Sequence, residues 1–236
     1  MSKSKEIKAQ YGRVKGAKWF PLLHKKDVLV LGQGGIGSWT SLLLSRIGCN
    51  LHIFDMDRYE PHNMTGQIVT VDAIGKLKTE AMKEVIKEMS PDAEVTTYGE
   101  YTEESMSNHI VICGFDNMKA RKIAFHNWRE TVEVESSEGE DPSAYFFQDG
   151  RLLAEQLQIF NIPGNRPDLM EKYEKEWLFD DSEVQEAECT FKQTSHCAAM
   201  IASHMVGFLT SWISGFKVPF KHEYFIPVNL VQNENA

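Results

Sequence analysis

Four charged side chains, Asp55, Asp57, Lys78 and Asp116, follow a glycine-rich turn, Gly32-Gln33-Gly34-Gly35-Ile36-Gly37-Ser38, in the first half of a 236-residue chain. Their types and order suit nucleotide chemistry. Gly32, Gly34, Gly35 and Gly37 carry no side chains, so a turn built from them can present backbone N–H groups closely to a phosphate. Asp55 stands about 20 residues beyond the turn, where a carboxylate commonly bonds a ribose hydroxyl pair. Asp116, beside Asn117, offers the oxygen donor that Mg²⁺ prefers against a triphosphate. Lys78, near a helix start, would add positive charge beside the phosphates. Asp57 fits two roles equally, as a second magnesium or nucleotide contact or as a cap on the following turn.

These residues need a scaffold that brings strand ends together. The apolar run Val28 to Leu31 predicts a strand at about 27–32, followed by a helix from near Ile36 that Gly48 ends. Leu51 to Phe54 form the next strand, with Asp55 at its carboxyl end. Leu77, Ala81, Met82, Val85, Ile86 and Met89 recur at helical spacing. Glu94 to Tyr98 and His109 to Cys113 read as strands, with a helix over 117–129 after the second. Strands alternating with helices imply βαβ units.

Further along, Glu133 to Asp141 read as an acidic exposed loop, and Tyr145 to Phe147 and Leu152 to Ile162 as strands, antiparallel to one another. A helix is expected from Ser195 to Ser214 and a final strand over Tyr224 to Val228. The expected fold class is therefore α/β: a Rossmann-like, mainly parallel sheet flanked by helices, with an antiparallel C-terminal extension. The expected organisation is an N-terminal arm (1–18), a nucleotide-binding part (19–130) and a C-terminal part of the same domain (131–236). A crossing segment over 163–194 belongs to the last part.

Composition narrows the partners. A formal charge of −9 disfavours nucleic acid, which would be repelled overall. The four cysteines, Cys49, Cys113, Cys189 and Cys197, form no CxxC pair, so a zinc ribbon or a disulfide framework is not expected. The basic N-terminus lacks the apolar core of a signal peptide, and no apolar run approaches the roughly 20 residues that cross a bilayer. The expectation is a cytoplasmic protein with no membrane role.

The segment Asp55-Met56-Asp57 through Asn63 to Gln67 resembles the D-x-D-x5-N-x3-Q motif of ThiF/MoeB-type adenylyltransferases, which share their fold with ubiquitin-activating enzymes. Ile74-Gly75-Lys76-Leu77-Lys78-Thr79-Glu80 is similar to the family's I-G-x-x-K-x-E, and Phe115-Asp116-Asn117 with Arg121 to its T-D-N-x3-R. The resemblance covers about residues 27–121, and Asp149-Gly150-Arg151 and Cys189 to Thr194 extend it less specifically. It implies that ATP and Mg²⁺ are used to adenylate the C-terminal glycine carboxylate of a ubiquitin-like or sulfur-carrier protein, with release of pyrophosphate. In this scheme Asp55 binds ribose, Asn63, Gln67 and Lys78 contact phosphates, and Asp116 holds magnesium. Homodimerisation is implied too, with Arg13 of one subunit completing the site of the other; a solvated residue on a basic arm is the alternative.

One departure matters. The family commonly has N-x-x-R-Q, its arginine meeting the triphosphate, and here that position is Gly66. Arg58 and Arg151 are candidate substitutes. Without one, the alternative is a catalytically silent scaffold that binds nucleotide or a ubiquitin-like partner. Cys189, with Lys192 and His196 nearby, is a candidate thioester nucleophile or else a small packed residue. A nicotinamide-dependent oxidoreductase also fits the glycines and Asp55, but it leaves Asn63, Lys78 and Asp116-Asn117 unexplained.

Overall fold

Val28, Leu29, Val30 and Leu31 are all fully buried, as a strand covered on both faces requires. Strand β1 (Asp27–Leu31) is an interior strand of a single eight-stranded sheet in this computed structural model, which describes residues 10–179 and 194–235. The other strands are β2 (Asn50–Phe54), β3 (Val95–Tyr98), β4 (Ile110–Cys113), β5 (Phe146–Leu153), β6 (Gln156–Pro163), β7 (Lys221–Phe225) and β8 (Leu230–Glu234). Their order is β3-β2-β1-β4-β5-β6-β7-β8. Pairings from β3 through β5 are parallel and those from β5 to β8 antiparallel. The fold is thus the expected Rossmann-like α/β sheet with an antiparallel C-terminal extension. The chain runs outward from β1 to β3 and then returns to β1's other side at β4. That reversal opens a crevice at the carboxyl ends of β1 and β4.

Alternation along the strands gives the sheet two cores. Val28 and Val30 face a layer containing Ile36, Leu44 and Ile47 of α2 (Gly35–Ile47), Met82 and Ile86 of α3 (Lys78–Met89), and Ile201, Met205 and Leu209 of α6 (Ser195–Ile213). Leu29 and Leu31 face Phe125 and Trp128 of α4 (Met118–Ser137) and Tyr173 of α5 (Pro167–Trp177). Each such side chain contributes about 1.5–3 kcal/mol by burial. A short helix, α1 (Phe20–Leu23), precedes β1.

Several elements differ from expectation. Within the segment expected as an arm, the described residues 10–18 form turns held by Tyr11 Oη donating to Asp92 Oδ2 (3.0 Å) and Lys18 Nζ donating to the Ser214 carbonyl (2.7 Å). Helix α4 runs eight residues past 129, to Ser137, into the stretch read as an acidic loop. Val132 is buried there, and Glu133 is neutralised by Arg129 at 2.8 Å, an i,i+4 pair. Strands β5 and β6 form a tight hairpin through Ala154 and Glu155, Ala154 being left-handed at φ 56°. The crossing segment contains α5, begun by Pro167 and buried through Leu169, Met170 and Tyr173. The strand expected over Tyr224 to Val228 is instead the end of β7, which stops at Phe225; a 3₁₀ turn over Ile226–Val228 follows, and Asn229 (φ 52°) reverses the chain into a further strand, β8. Among the described residues no helix is long and apolar enough to cross a membrane.

Candidate active site

The glycine turn is forced by its own backbone contacts. Gly32 has φ +81°, and a Cβ there would lie 3.1 Å from the Gly114 carbonyl oxygen. A Cβ at Gly37 would lie 1.6 Å from the Gly32 carbonyl oxygen. Gly34, the residue capping α2, differs: a Cβ there would find only Gln67 Nε2, at 3.9 Å. No side chain caps this helix start, so its first N–H groups face the open side of the turn.

Asp55 locks the turn to the end of β2. Its Oδ2 accepts from Gln33 N (2.6 Å) and its Oδ1 from Asp57 N (2.8 Å). The start of α3 brings Lys78 alongside, with Nζ 2.8 Å from Asp57 Oδ2 and 3.9 Å from Asp55 Oδ2. Lys78 and Asp55 are both buried, whereas the Asp57 side chain is 59% exposed. Burial pushes the Asp55 carboxyl above its ordinary value, and Lys78 and the two backbone donors pull against this. The sign follows. Between 3.8 and the raised value the folded chain holds a proton that the unfolded chain has lost, so this carboxyl favours folding as pH falls through that window. If Asp55 binds ribose as a carboxylate, affinity for ATP should begin to fall, as acid is added, at a pH above the ordinary aspartate range. Calorimetric titration over pH 4 to 7 measures it; flat affinity down to about pH 4 refutes the role.

The segment carrying Asn63 and Gln67 is docked on the first turn of α2. Trp39 Nε1 donates to the Gly66 carbonyl (3.1 Å), and Ile68 N donates to Ser38 Oγ (3.2 Å). Gln67 Nε2 thereby hangs over Gly34, and its Oε1 is buried without a hydrogen-bond partner. Asn63 commits its Oδ1 to Glu60 N (2.8 Å) in a capping box, which leaves its amide nitrogen for any ligand. Asp116 and Asn117 are exposed at the end of β4. Asn117 caps α4 through Ala120 N (2.8 Å) and donates to Asp116 Oδ1 at 3.4 Å. Gly114 and Phe115, just before them, pack against the glycine turn. The structure therefore gathers the turn, Asp55, Asp57, Gln67, Lys78 and Asp116 at one end of the sheet.

Other sequence candidates lie elsewhere. Arg13 is exposed on the N-terminal turns, and Cys189 lies outside the described residues. Arg58 donates to the Gly75 carbonyl (2.8 Å). Arg151 is half-buried two residues beyond Asp149 on β5, bonded to Asp149 Oδ2 (2.7 Å) and the Trp177 carbonyl (2.9 Å) and stacked 4.8 Å from the Phe160 ring centroid. Both candidate substitutes for the arginine absent at Gly66 are thus engaged in contacts within the chain. Sequence reasoning missed Gln33, fully buried, whose Oε1 accepts from Ser41 Oγ (3.0 Å) and so fixes the turn from beneath. It also missed Asp149 as a hub between Arg121, Arg151 and Tyr173.

Cys49, Cys113 and Cys197 are each 0% exposed, and burial pushes their thiols up to about 12, 12 and 11. Thiolate is the reactive form. Iodoacetamide at neutral pH should therefore modify these three only after denaturation. Peptide mapping checks this, and native-state label on any of them contradicts it.

Comparison with known proteins supplies the lineage. The ThiF family model matches residues 11–131, just over half of the chain. The chain belongs to the ThiF family. This ThiF-family protein is 33% identical over 108 residues to tRNA threonylcarbamoyladenosine dehydratase of Haemophilus influenzae, covering 42% of the chain and 41% of that protein. It is 34% identical over 106 residues to ubiquitin-like modifier-activating enzyme 5 of Drosophila willistoni, covering 44% of the chain and 24% of that enzyme. The matches thus span less than half the length of these curated relatives. Among solved structures, PaaA superposes with a TM-score of 0.72 at 16% identity, covering 100% of this chain and 76% of PaaA. MccB of Escherichia coli with ATP superposes with a TM-score of 0.66 at 14% identity, covering 92% of this chain and 66% of MccB. At such identities the superpositions establish the shared fold.

Proposed function

We propose that this ThiF-family protein binds ATP with Mg²⁺ and adenylates the C-terminal glycine carboxylate of a ubiquitin-like or sulfur-carrier protein, releasing pyrophosphate. The observation that carries the reading is the convergence of an uncapped glycine turn, the Asp55–Lys78 pair and Asp116 at neighbouring strand ends. The residues present are compatible with the nucleotide: a side chain is missing at Gly34, and the Gln67 amide nitrogen, a donor, lies 3.9 Å from where a Cβ there would stand. Family membership supports the reaction class, and MccB, which shares the fold, has been solved with ATP.

The chemistry asks the protein to hold a carboxylate in line with an α-phosphorus despite the charge on both. The turn's N–H groups and Gln67 would donate to phosphate oxygens, with the Asn63 amide beside them. Asp55 has lone pairs left for ribose hydroxyls after accepting its two backbone donors. Lys78 would leave Asp57 for the phosphates, since their denser charge attracts it more. Magnesium, when bound, supplies further neutralisation. Among the described residues no three His, Cys, Asp or Glu gather into a metal cage, so Asp116 would share the ion with phosphate and water. A cytoplasmic homodimer, with Arg13 reaching the second copy's site, completes the reading. Residues 19–130 would form the nucleotide-binding part and 131–236 the rest of the same domain.

A specific observation favours a second reading. Gly66 provides no cation, and Arg58 and Arg151 are engaged elsewhere. A scaffold that binds nucleotide or a ubiquitin-like protein without turnover would have this arrangement. Pyrophosphate exchange decides between them: protein, ATP, Mg²⁺, a carrier ending in glycine and labelled pyrophosphate should yield labelled ATP. ATP binding without exchange supports the scaffold. Binding of NAD in preference to ATP overturns both.

A further inference from the structure

We infer that Arg121 is a positioning residue that sets the loop bearing Asp116, and that Asp149 is the anchor from which it does so. The inference rests on the reading of Asp116 as the magnesium-holding carboxylate. Arg121 is buried on the first turns of α4, facing inward under the end of β4. Its guanidinium spans two elements. Nη2 donates to the Phe115 carbonyl, while Nη1 donates to Asp149 Oδ1 and to the Gly150 carbonyl (3.2 Å). Asp149 is itself fully buried and held from its other oxygen by Arg151 Nε (2.7 Å) and Tyr173 Oη (2.8 Å).

The peptide that Arg121 grips is the one immediately before Asp116. It also touches the phosphate side of the site: a Cβ at Gly32 would lie 3.2 Å from the Phe115 ring, and one at Gly114 would lie 3.4 Å from Gly37 N. One planar fork therefore fixes the carboxylate's loop against the glycine turn. Lysine, a point charge without the planar fork, does not reproduce the split between Nη2 on Phe115 and Nη1 on Asp149 and Gly150. Two positive charges share Asp149, so losing one leaves the buried carboxylate still paired with Arg151. That makes substitution of Arg121 survivable.

Arg121→Lys and Tyr173→Phe are the variants, each checked for a cooperative thermal transition. Calorimetry then measures ATP affinity with EDTA and ATP affinity across a Mg²⁺ series. Arg121→Lys is expected to keep metal-free ATP affinity within about 2-fold while requiring at least about 10-fold more Mg²⁺ for half-maximal enhancement. Tyr173→Phe, which leaves the guanidinium in place, is expected to shift the Mg²⁺ requirement less than 3-fold. Unchanged Mg²⁺ dependence in a folded Arg121→Lys overturns the inference and spares the ATP reading. Equal loss with and without Mg²⁺ shows a general structural role and overturns it too. If Arg121→Lys does not fold, Arg121→Ala with millimolar guanidinium is measured instead, and failure of guanidinium to restore the Mg²⁺ dependence overturns it. Absence of ATP binding by the unaltered protein overturns the functional reading and this inference together.

Discussion

Asp116→Ala should abolish magnesium-dependent pyrophosphate exchange and leave the protein folded. The carboxylate is exposed, and its contact with Asn117 Nδ2 is long at 3.4 Å, so removing it should change stability by no more than about 0.5 kcal/mol. Asn117 keeps its bond to Ala120 N, so α4 still starts in the same place. The loss in rate should reach at least about 10²–10³-fold, the scale seen when one stabiliser of developing charge is deleted. Exchange assays alongside thermal melting test both halves. Unchanged exchange removes Asp116 from the magnesium role, and a large drop in melting temperature would mean the rate loss says nothing about metal.

The second large effect separates shape from chemistry within one turn. Gly37→Ala would place a methyl 1.6 Å from the Gly32 carbonyl oxygen, a backbone atom that cannot swing aside. Overpacking a core usually costs about 1–3 kcal/mol, and a collision with backbone this close should sit at or above the top of that range. At about 2–4 °C per kcal/mol for a chain of this size, melting should fall by about 6–12 °C or more. Gly34→Ala should do the opposite. Its methyl would make only ordinary van der Waals contact, 3.9 Å from Gln67 Nε2, so its melting temperature should fall much less than that of Gly37→Ala. The same methyl would stand where phosphate is proposed to lie, weakening ATP by about 1–3 kcal/mol, or roughly 5- to 150-fold. If Gly34→Ala binds ATP as well as the parent does, the nucleotide does not rest on this turn.

What the sequence disclosed and withheld follows from the range of the forces involved. Gly32, Gly37 and Asp55 were readable because a backbone turn and a strand end impose residue types within a few positions. The parallel half of the sheet was readable because βαβ spacing repeats. The far end of α4 was not, since its acidic letters match a solvated loop; Val132 and the Arg129–Glu133 pair hold it helical. Helix α5 was hidden among charges for the same reason, because only its buried face, Leu169, Met170 and Tyr173, meets the sheet. Asp149 and its near partner Arg151 belong to one short motif, but Arg121 and Tyr173 lie 28 and 24 residues from Asp149 and no local pattern links them. Arg151 is a candidate for the cation absent at Gly66, and its place over the Phe160 and Tyr173 rings comes from tertiary packing that its own segment does not announce.

The strand that holds Asp149 lies beyond residue 131, where the family match stops. A fragment trimmed to that boundary would retain the glycine turn, Lys78 and Asp116 yet lose β5, so β4 would present a bare hydrogen-bonding edge to its surroundings. Arg121 would be stranded without its counter-ion, and α2 would be stripped of α6, which covers its inner surface. Expressed alone, such a piece should precipitate or recruit other chains along that edge. The stretch by which the lineage is recognised is shorter than the sheet it belongs to.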